Sequence, residues 1–384
     1  MLLLFAFGVL AASPLRPQAA MPGLVVSGTL VDESGAPAAG VEVVLRPYPS
    51  RYQLDLDLLG ISDALPAAAD AVRSGVEGDF ALQAPVIGPY RLEVRTGPPA
   101  VETGVTVPLI VHDFVPLEVP LHLEPITLAN HQRLTVRALD PHGRGLAGAL
   151  VLIEVVREEN PLWRPAHEQS QRLRAVFDRA TMQTDAVGAA RFLVPAGATR
   201  VAVVASGYVA QSAVVSGDRA LFRLEPARSV VLRVTGPEGA PAVRAVVRLA
   251  AERPIPFALT DEKGEAATGV GGSGRVMLEV EAAGGALTRQ RTGSSVPVDV
   301  QSPSAVDVSL EPVTAIRGRI SDVETGHSVV DAVVWAGTDP GRQARSDGSG
   351  GFSLAAPPYQ PDFEVGVVGG RLRVCGGERR GRAS

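Results

Sequence analysis

The sequence predicts an all-β chain built from tandem antiparallel β-sandwiches. Three observations predict it. An ordered set of turn and strand signals recurs four times, short apolar–polar alternations separate the turns, and the tripeptide Leu-Glu-Pro closes three of the four copies. Short strands between turn signals at this spacing are the pattern of a sandwich.

The early segment of each copy reads "DESGAPAAGVEVVL" (32–45), "DPHGRGLAGALVLI" (140–153), "GPEGAPAVRAVVRL" (236–249) and "DVETGHSVVDAVVW" (322–335). Each carries a glycine (Gly35, Gly143, Gly239, Gly326), a short turn, then a run of Val, Ala and Leu. The later segment reads "RSGVEGDFAL" (73–82), "QTDAVGAARF" (183–192), "LTDEKGEAAT" (259–268) and "RSDGSGGFSL" (345–354). Each contains Ser or Thr and, four positions on, Gly; glycine takes positive φ in such turns while Asp or Ser bonds its own backbone. Period-two alternation, as in Val41-Val43-Leu45 and Leu92-Val94, places apolar side chains on one sheet face. Aromatic residues make up only 4% of the chain, so Val, Ala and Leu must fill the cores, with Phe80 and Phe352 as matching anchors.

Leu-Glu-Pro stands at 123–125, 224–226 and 310–312. "LHLEP", "FRLEP" and "VSLEP" alternate as a closing strand should, and Pro lacks the amide that a continuing ladder needs. The expected units are therefore 24–125, 126–226, 227–312 and 313–384, joined by short junctions into a semi-rigid row. The fourth unit is expected to be incomplete: only "RLRVCGGERRGRAS" follows Gly370. It is either truncated or completed by an edge borrowed from another chain.

The interval from the early Gly to the later Ser/Thr is 39 residues in copy one (35 to 74) and 41 in copy two (143 to 184). It is 21 in copy three (239 to 260) and 20 in copy four (326 to 346), so the first two copies carry inserts. In the second insert, Leu173, Val176, Phe177 and Ala180 fall on one face of an expected short helix that covers the sandwich or meets a partner. In the first, "LDLDLL" (54–59) reads as a strand with Asp55 and Asp57 on one face. Two carboxylates fall short of the 6–8 oxygens that calcium takes, so solvated strand-face charges are the expectation. Trp163 and Tyr52, with Tyr48, are the candidate ligand-binding residues, because aromatic faces stack on sugar rings; structural packing is the competing role.

Composition narrows the function classes. The chain has 384 residues, 46% of them hydrophobic, and a net charge of −5, with no basic footprint for nucleic acid. Cys375 is the sole cysteine, so neither an internal disulfide nor a cysteine zinc site can form. Leu2–Ala12 is an apolar run followed by small residues, which predicts a signal peptide over residues 1–20, although no Lys or Arg precedes it. No run reaches the roughly 20 apolar residues of a spanning helix.

Motif searches give no catalytic set. None of the six histidines has Glu three residues on, there is no H-E-x-x-H, and Lys263, the only lysine, does not follow Gly. "GVGGSG" (269–274) matches G-x-G-x-x-G, but a strand follows where a dinucleotide site needs a helix, so a hairpin loop is expected. No cofactor or metal is implied.

The segment 316–358, with its Gly-x-Ile opening, Thr-Gly turn and Ser-Asp-x-x-Gly-x-Phe, resembles the carboxypeptidase regulatory-like domain family. Copy one is nearly as close; copies two and three have Ala190 and Ala266 in place of the Phe. The resemblance implies a seven-stranded transthyretin-like (Ig-like) β-sandwich, also grouped with carbohydrate-binding-like folds, and a companion role outside catalysis. It also implies an exported bacterial protein, secreted, periplasmic or at the cell surface. Three functions stay open: a non-catalytic structural or interaction module of the envelope, a carbohydrate-binding surface protein, or the accessory part of a larger envelope enzyme or outer-membrane receptor. The partner is then an unidentified protein or glycan.

Overall fold

The computed structural model describes residues 24–61, 63–95, 105–106, 109–117, 120–128, 130–155, 179–249, 255–270, 275–283, 287–288, 295–299, 305–312, 314–336, 339–356 and 365–368. The expected signal peptide, Trp163 and most of the second insert lie outside them. Ala180, expected on the insert helix, lies instead in the strand Arg179–Gln183, paired with Ile153.

In copies one to three, seven equivalent strands build two facing layers. In copy three these are joined into one sheet by the short strand Leu287–Thr288, paired with both Arg275–Glu281 and Ala305–Glu311. The first strands are Leu24–Val31, His131–Leu139 and Arg228–Thr235. Each pairs antiparallel with the fourth strand of its copy: Asp79–Ala84, Ala189–Pro195 and Glu265–Val270. On the other side it pairs with the seventh strand, Leu121–His122, Arg219–Arg223 or Ala305–Glu311. That last pairing is parallel, which the alternation pattern did not disclose. The second strands, Glu42–Pro47, Leu150–Val155 and Val246–Leu249, centre the facing sheets. They lie between the third strands (Asp70–Arg73, Arg179–Gln183, Ile255–Leu259) and the fifth (Gly88–Arg95, Thr199–Val204, Arg275–Glu281). Sixth strands, Leu109–Leu117, Gln211–Val215 and Ser295–Asp299, extend the fifth. Copy four supplies the first five roles with Thr314–Arg319, Val333–Ala336, Asp339–Arg345, Gly351–Ala356 and Val365–Val368.

Three local expectations are corrected. Pairing does not stop at Pro125: it breaks for two residues and resumes at Ile126–Thr127 against Leu30–Val31, shifted by one position, so Glu124-Pro125 is a bulge. "GVGGSG" is not a hairpin loop, because the strands around it pair with different partners, Arg228–Thr235 and Val246–Leu249. "LDLDLL" is not a strand. Residues Arg51–Leu58 form a helix, α1, started by a capping box: Gln53 N–H donates to Ser50 Oγ (3.3 Å) and Ser50 N–H to Gln53 Oε1 (2.8 Å).

One hydrogen-bonded clamp repeats in all four copies and explains the motif. The buried hydroxyls of Ser74, Thr184, Thr260 and Ser346 accept from the amides of Val41, Ala149, Ala245 and Ala332 at 2.8–3.0 Å. They donate to the carbonyls of Ala38, Leu146, Ala242 and Val329 at 2.5–2.7 Å. Each hydroxyl thus ties the early turn to the later one. Four residues on, Gly78, Gly188, Gly264 and Gly350 share φ of 74–77° and offer their carbonyls to Leu30, Ala138, Val234 and Ile320 N–H, all at 2.8 Å. A side chain there would run into the carbonyl oxygen of that same first-strand residue, so only glycine fits.

Core volume is conserved between copies by an exchange across one strand pair. Gly28 faces Phe80 and Gly318 faces Phe352, whereas Val136 faces Ala190 and Leu232 faces Ala266. A Cβ on Gly28 would touch the Phe80 ring at 2.9 Å, so large and small must alternate across the pair. Ala266→Phe alone is expected to destabilise by about 1–3 kcal/mol through overpacking. Adding Leu232→Gly should give a double variant more stable than the two single losses summed, as read by urea unfolding in a double-mutant cycle.

Candidate functional site

The densest collection of chemically capable side chains lies where α1 meets the other copies. Arg248, on the second strand of copy three, points away from its own core and is 0% exposed. Its three guanidinium nitrogens each meet a different carboxylate: Nε to Asp55 Oδ2 (2.5 Å), Nη1 to Glu279 Oε1 (3.2 Å) and Nη2 to Glu281 Oε2 (2.7 Å). Asp55 comes from α1; Glu279 and Glu281 come from the neighbouring strand Arg275–Glu281. A planar fork of donors suits this triple contact, and an ammonium would not.

The network extends outward from there. Asp55 also faces Arg179 Nη1 (4.0 Å), whose Nη2 reaches Glu154 Oε2 (3.4 Å) in copy two. Glu279 also meets Arg51 Nη1 of α1 (3.2 Å), and Glu281 meets Arg342 of copy four. Four arginines and four carboxylates from all four copies therefore form one chain of contacts around α1. Burial works against the Glu281 carboxylate, yet Arg248, Arg342 and Arg51 outweigh it and hold its pKa below the ordinary glutamate value. Burial also opposes the Arg248 charge, and Asp55, Glu281 and Glu279 more than restore it, so its pKa moves up. A second cluster sits behind α1, where Glu93 is flanked by Arg91, Arg46 and Arg95. Burial opposes the Glu93 charge, and those three arginines overcome it to lower its pKa. Asp57 goes the other way: burial first, and then Glu93, raise it.

Apolar contacts frame these charges. Leu58 of α1 packs on Leu152 and Ala202 of copy two, with Ile255 of copy three alongside. Tyr48 and Leu54 pack on Val333 and Trp335 of copy four. The Thr181 hydroxyl donates to Leu58 O at 2.6 Å, and Arg345 Nη2 donates to Ile87 O at 3.3 Å. The copies thus gather around α1, and the first touches the fourth, which replaces the expected row.

Two of the three candidate ligand-binding residues, Tyr52 and Tyr48, make contacts between copies. Tyr52 donates its hydroxyl to Arg244 O of copy three at 2.8 Å, and burial raises its pKa. Tyr48 is buried against copy four. Tyr48 thus offers no open ring face to a sugar, Tyr52 is half-buried, and Trp163 lies outside the described residues. Asp55 is neither on a strand nor solvated, contrary to expectation; arginine fills the place that a cation would take. Among the described residues, no three His, Cys, Asp or Glu side chains gather as metal ligands, and no helix is long and apolar enough to cross a membrane. What the motif search missed is the arginine set, which carries no local spacing and is assembled only by packing of separate copies.

Truncating Arg248 leaves three buried carboxylates without their shared cation. Arg248→Ala is expected to destabilise by about 3–5 kcal/mol in urea unfolding, and Arg248→Lys to recover only part of that loss. The pH dependence follows from Glu281 and Glu93. Their folded pKa values lie below the unfolded ones, so their contribution is complete above the unfolded value of about 4.3 and fades as pH falls through the lowered values. Asp57, raised by burial, opposes this by relaxing on acidification. Thermal melts between pH 7 and pH 3 should show the midpoint falling steeply below about pH 4.3, and a flat profile would contradict the network.

No protein-family model matches the chain, and no curated protein matches it in sequence. Among solved structures it is similar to the Bacillus anthracis TIE protein, at 13% identity and a TM-score of 0.20, covering 75% of this chain and 50% of that one. It thus spans half the length of that protein. It is also similar to the shaft pilin SpaA from Lactobacillus rhamnosus GG (12% identity, TM-score 0.20, 53% of this chain and 98% of that one). A third is GBS52, the minor pilin of Streptococcus agalactiae (14%, 0.23, 53% and 95%). At these TM-scores the likeness carries no argument about what the chain does, and its family stays an inference from its own residues.

Proposed function

We propose that the chain is a non-catalytic structural or interaction module, exported to the bacterial cell envelope, in which carboxypeptidase regulatory-like sandwiches are locked into one body. One observation carries this reading. The side chains that would interest an enzymologist are already engaged in holding the chain together: the four Ser/Thr hydroxyls in turn clamps, and the buried Arg, Asp and Glu in the network around α1. A nucleophile needs a lone pair to spare and a base beside it. The clamp hydroxyls instead accept one backbone amide and donate to one carbonyl, with no His, Asp or Glu as hydrogen-bond partner. The repeated aspartates likewise accept backbone amides of their own turns. Asp185, Asp261 and Asp347 receive such bonds from Ala189, Glu265 and Gly351 at 2.8–2.9 Å.

The signal-like residues 1–20 support export, and the short junctions support one body of fixed domain order. The carbohydrate-binding alternative gains nothing from the buried Tyr48, which leaves it resting on Tyr52 and Trp163.

A glycan array probed with the purified chain, alongside a panel of ester, peptide and glycoside substrates, tests the proposal. The expected result is neither turnover nor saturable glycan binding. Binding that Trp163→Ala abolishes would replace the module reading with a lectin-like one.

A further inference from the structure

In copies one to three, the first strand is flanked on both sides: by the fourth strand antiparallel and by the seventh strand parallel. Among the described residues, the first strand of copy four, Thr314–Arg319, pairs only with Gly351–Ala356. The register identifies the groups this leaves. Ile320 N–H donates to Gly350 O at 2.8 Å, so Ile316, Gly318 and Ile320 bond inward, and the amides of Arg317 and Arg319 point to the open edge. In copy two the matching edge is taken. Thr135 N–H, the equivalent of the Arg317 amide, donates to Asp218 O, and farther along Leu139 O accepts from Leu224 N–H, both at 2.8 Å. Arg137, the equivalent of Arg319, stands in the ladder opposite Leu221.

Among the described residues, the core is less covered on the same side. Val26, Leu134 and Val230, which match Ile316, are each 1% exposed, whereas Ile316 is only half-buried. Gly28, Val136 and Leu232 are buried, and their counterpart Gly318 is exposed. Phe352 is half-buried where Phe80 is buried. Closing-strand side chains cover those positions in the other copies: Leu123 in copy one, Phe222 and Leu224 in copy two, Val308 and Leu310 in copy three. The chain thus displays three times what belongs at this edge.

We propose that the outer edge of Thr314–Arg319 is a strand-acceptor site for an extended segment of a partner protein. The segment enters parallel to the strand, bonds the outward amides and carbonyls, and lays alternate apolar residues over Ile316, Gly318 and Phe352. An acidic residue between the apolar ones would stand opposite Arg319, as Asp307 stands opposite Arg233 in copy three. The partner sequence is therefore of the form apolar–acidic–apolar–polar–apolar. This names a partner class for the interaction-module reading and rests on it. Glycan and substrate assays test that reading, whereas peptide binding tests this edge.

A fluorescein-labelled peptide of sequence AVDVSLEP, matching residues 305–312, titrated with the full chain in fluorescence anisotropy provides the measurement. The expected result is saturable binding together with slowed hydrogen exchange at the Arg317 and Arg319 amides. Arg317→Pro removes one outward N–H and no bond to Gly351–Ala356, so it should weaken binding by about tenfold or more. The same peptide carrying Val308→Asp and Leu310→Asp should fail to bind the unaltered chain, which keeps the test decisive if Arg317→Pro disturbs folding. Absence of binding by the unaltered chain, or equal binding of the native and doubly substituted peptides, overturns the proposal.

Discussion

A guanidinium with no access to water must find its counter-charges inside the protein, and Arg248 finds them on two different units. Glu279 and Glu281 come from its own sheet, but Asp55 comes from a helix inserted between the second and third strands of copy one. That one requirement fixes where α1 must lie. Once α1 is placed, Leu58 reaches copy two, Tyr48 and Leu54 reach copy four, and Tyr52 reaches Arg244. The insert that makes copy one longer than copies three and four is therefore the element around which the others are arranged. Desolvating so many charges is costly, and the contacts among them roughly offset that cost without a large surplus. The weight of the network falls on arrangement: a wrong docking of any copy leaves a charge buried and unpaired.

Much of the fold was legible in the residues, and the reason is local. The Ser/Thr, the Gly four positions on and the early Gly lie within turns whose geometry allows few substitutes, so their recurrence located the strands. Gly78, Gly188, Gly264 and Gly350 could be aligned because a side chain at any of them would strike the first strand. The left-handed position ahead of each clamp was less legible. Gly40 and Gly148 occupy it in two copies, but Arg244 and Asp331 in the others, at φ of 56° and 63°. The clamp amides that follow are held by Thr260 and Ser346 even so, which is how the surrounding structure sustains the costlier residues.

The failures have a common cause as well. "LDLDLL" alternates as a strand would, and its helical signal was the Ser50-x-x-Gln53 box just before it, which fixes the chain direction whatever the pattern beyond. Alternation misled because α1 is buried on several sides at once: Leu54 faces copy four, Asp55 faces Arg248 and Leu58 faces copy two. A helix surrounded by neighbours need not have an amphipathic period. Glu154, Arg179, Glu279 and Arg342 were invisible for a similar reason. Each lies on the face of a sheet that its own sandwich does not cover, where a charged residue normally signals solvent. Only assembly turns that face into an interior.

The same logic explains why the two faces of the second-strand sheets differ so sharply in composition. The inner face of each sandwich is filled by Val, Leu, Ala and a few aromatics, and an exchange such as Gly28–Phe80 for Val136–Ala190 leaves its function intact. Apolar packing tolerates such exchanges because it is non-directional and sums over volume. The outer face must instead select one neighbour among three units of nearly identical build. Apolar surfaces on four similar sandwiches would stick to one another in many combinations. Charges do not permit this: Arg179 satisfies Glu154 and reaches Asp55, and Arg342 satisfies Glu281, only in one mutual placement. In a chain of repeated domains, the apolar faces make each copy fold and the charged faces decide which copy goes where.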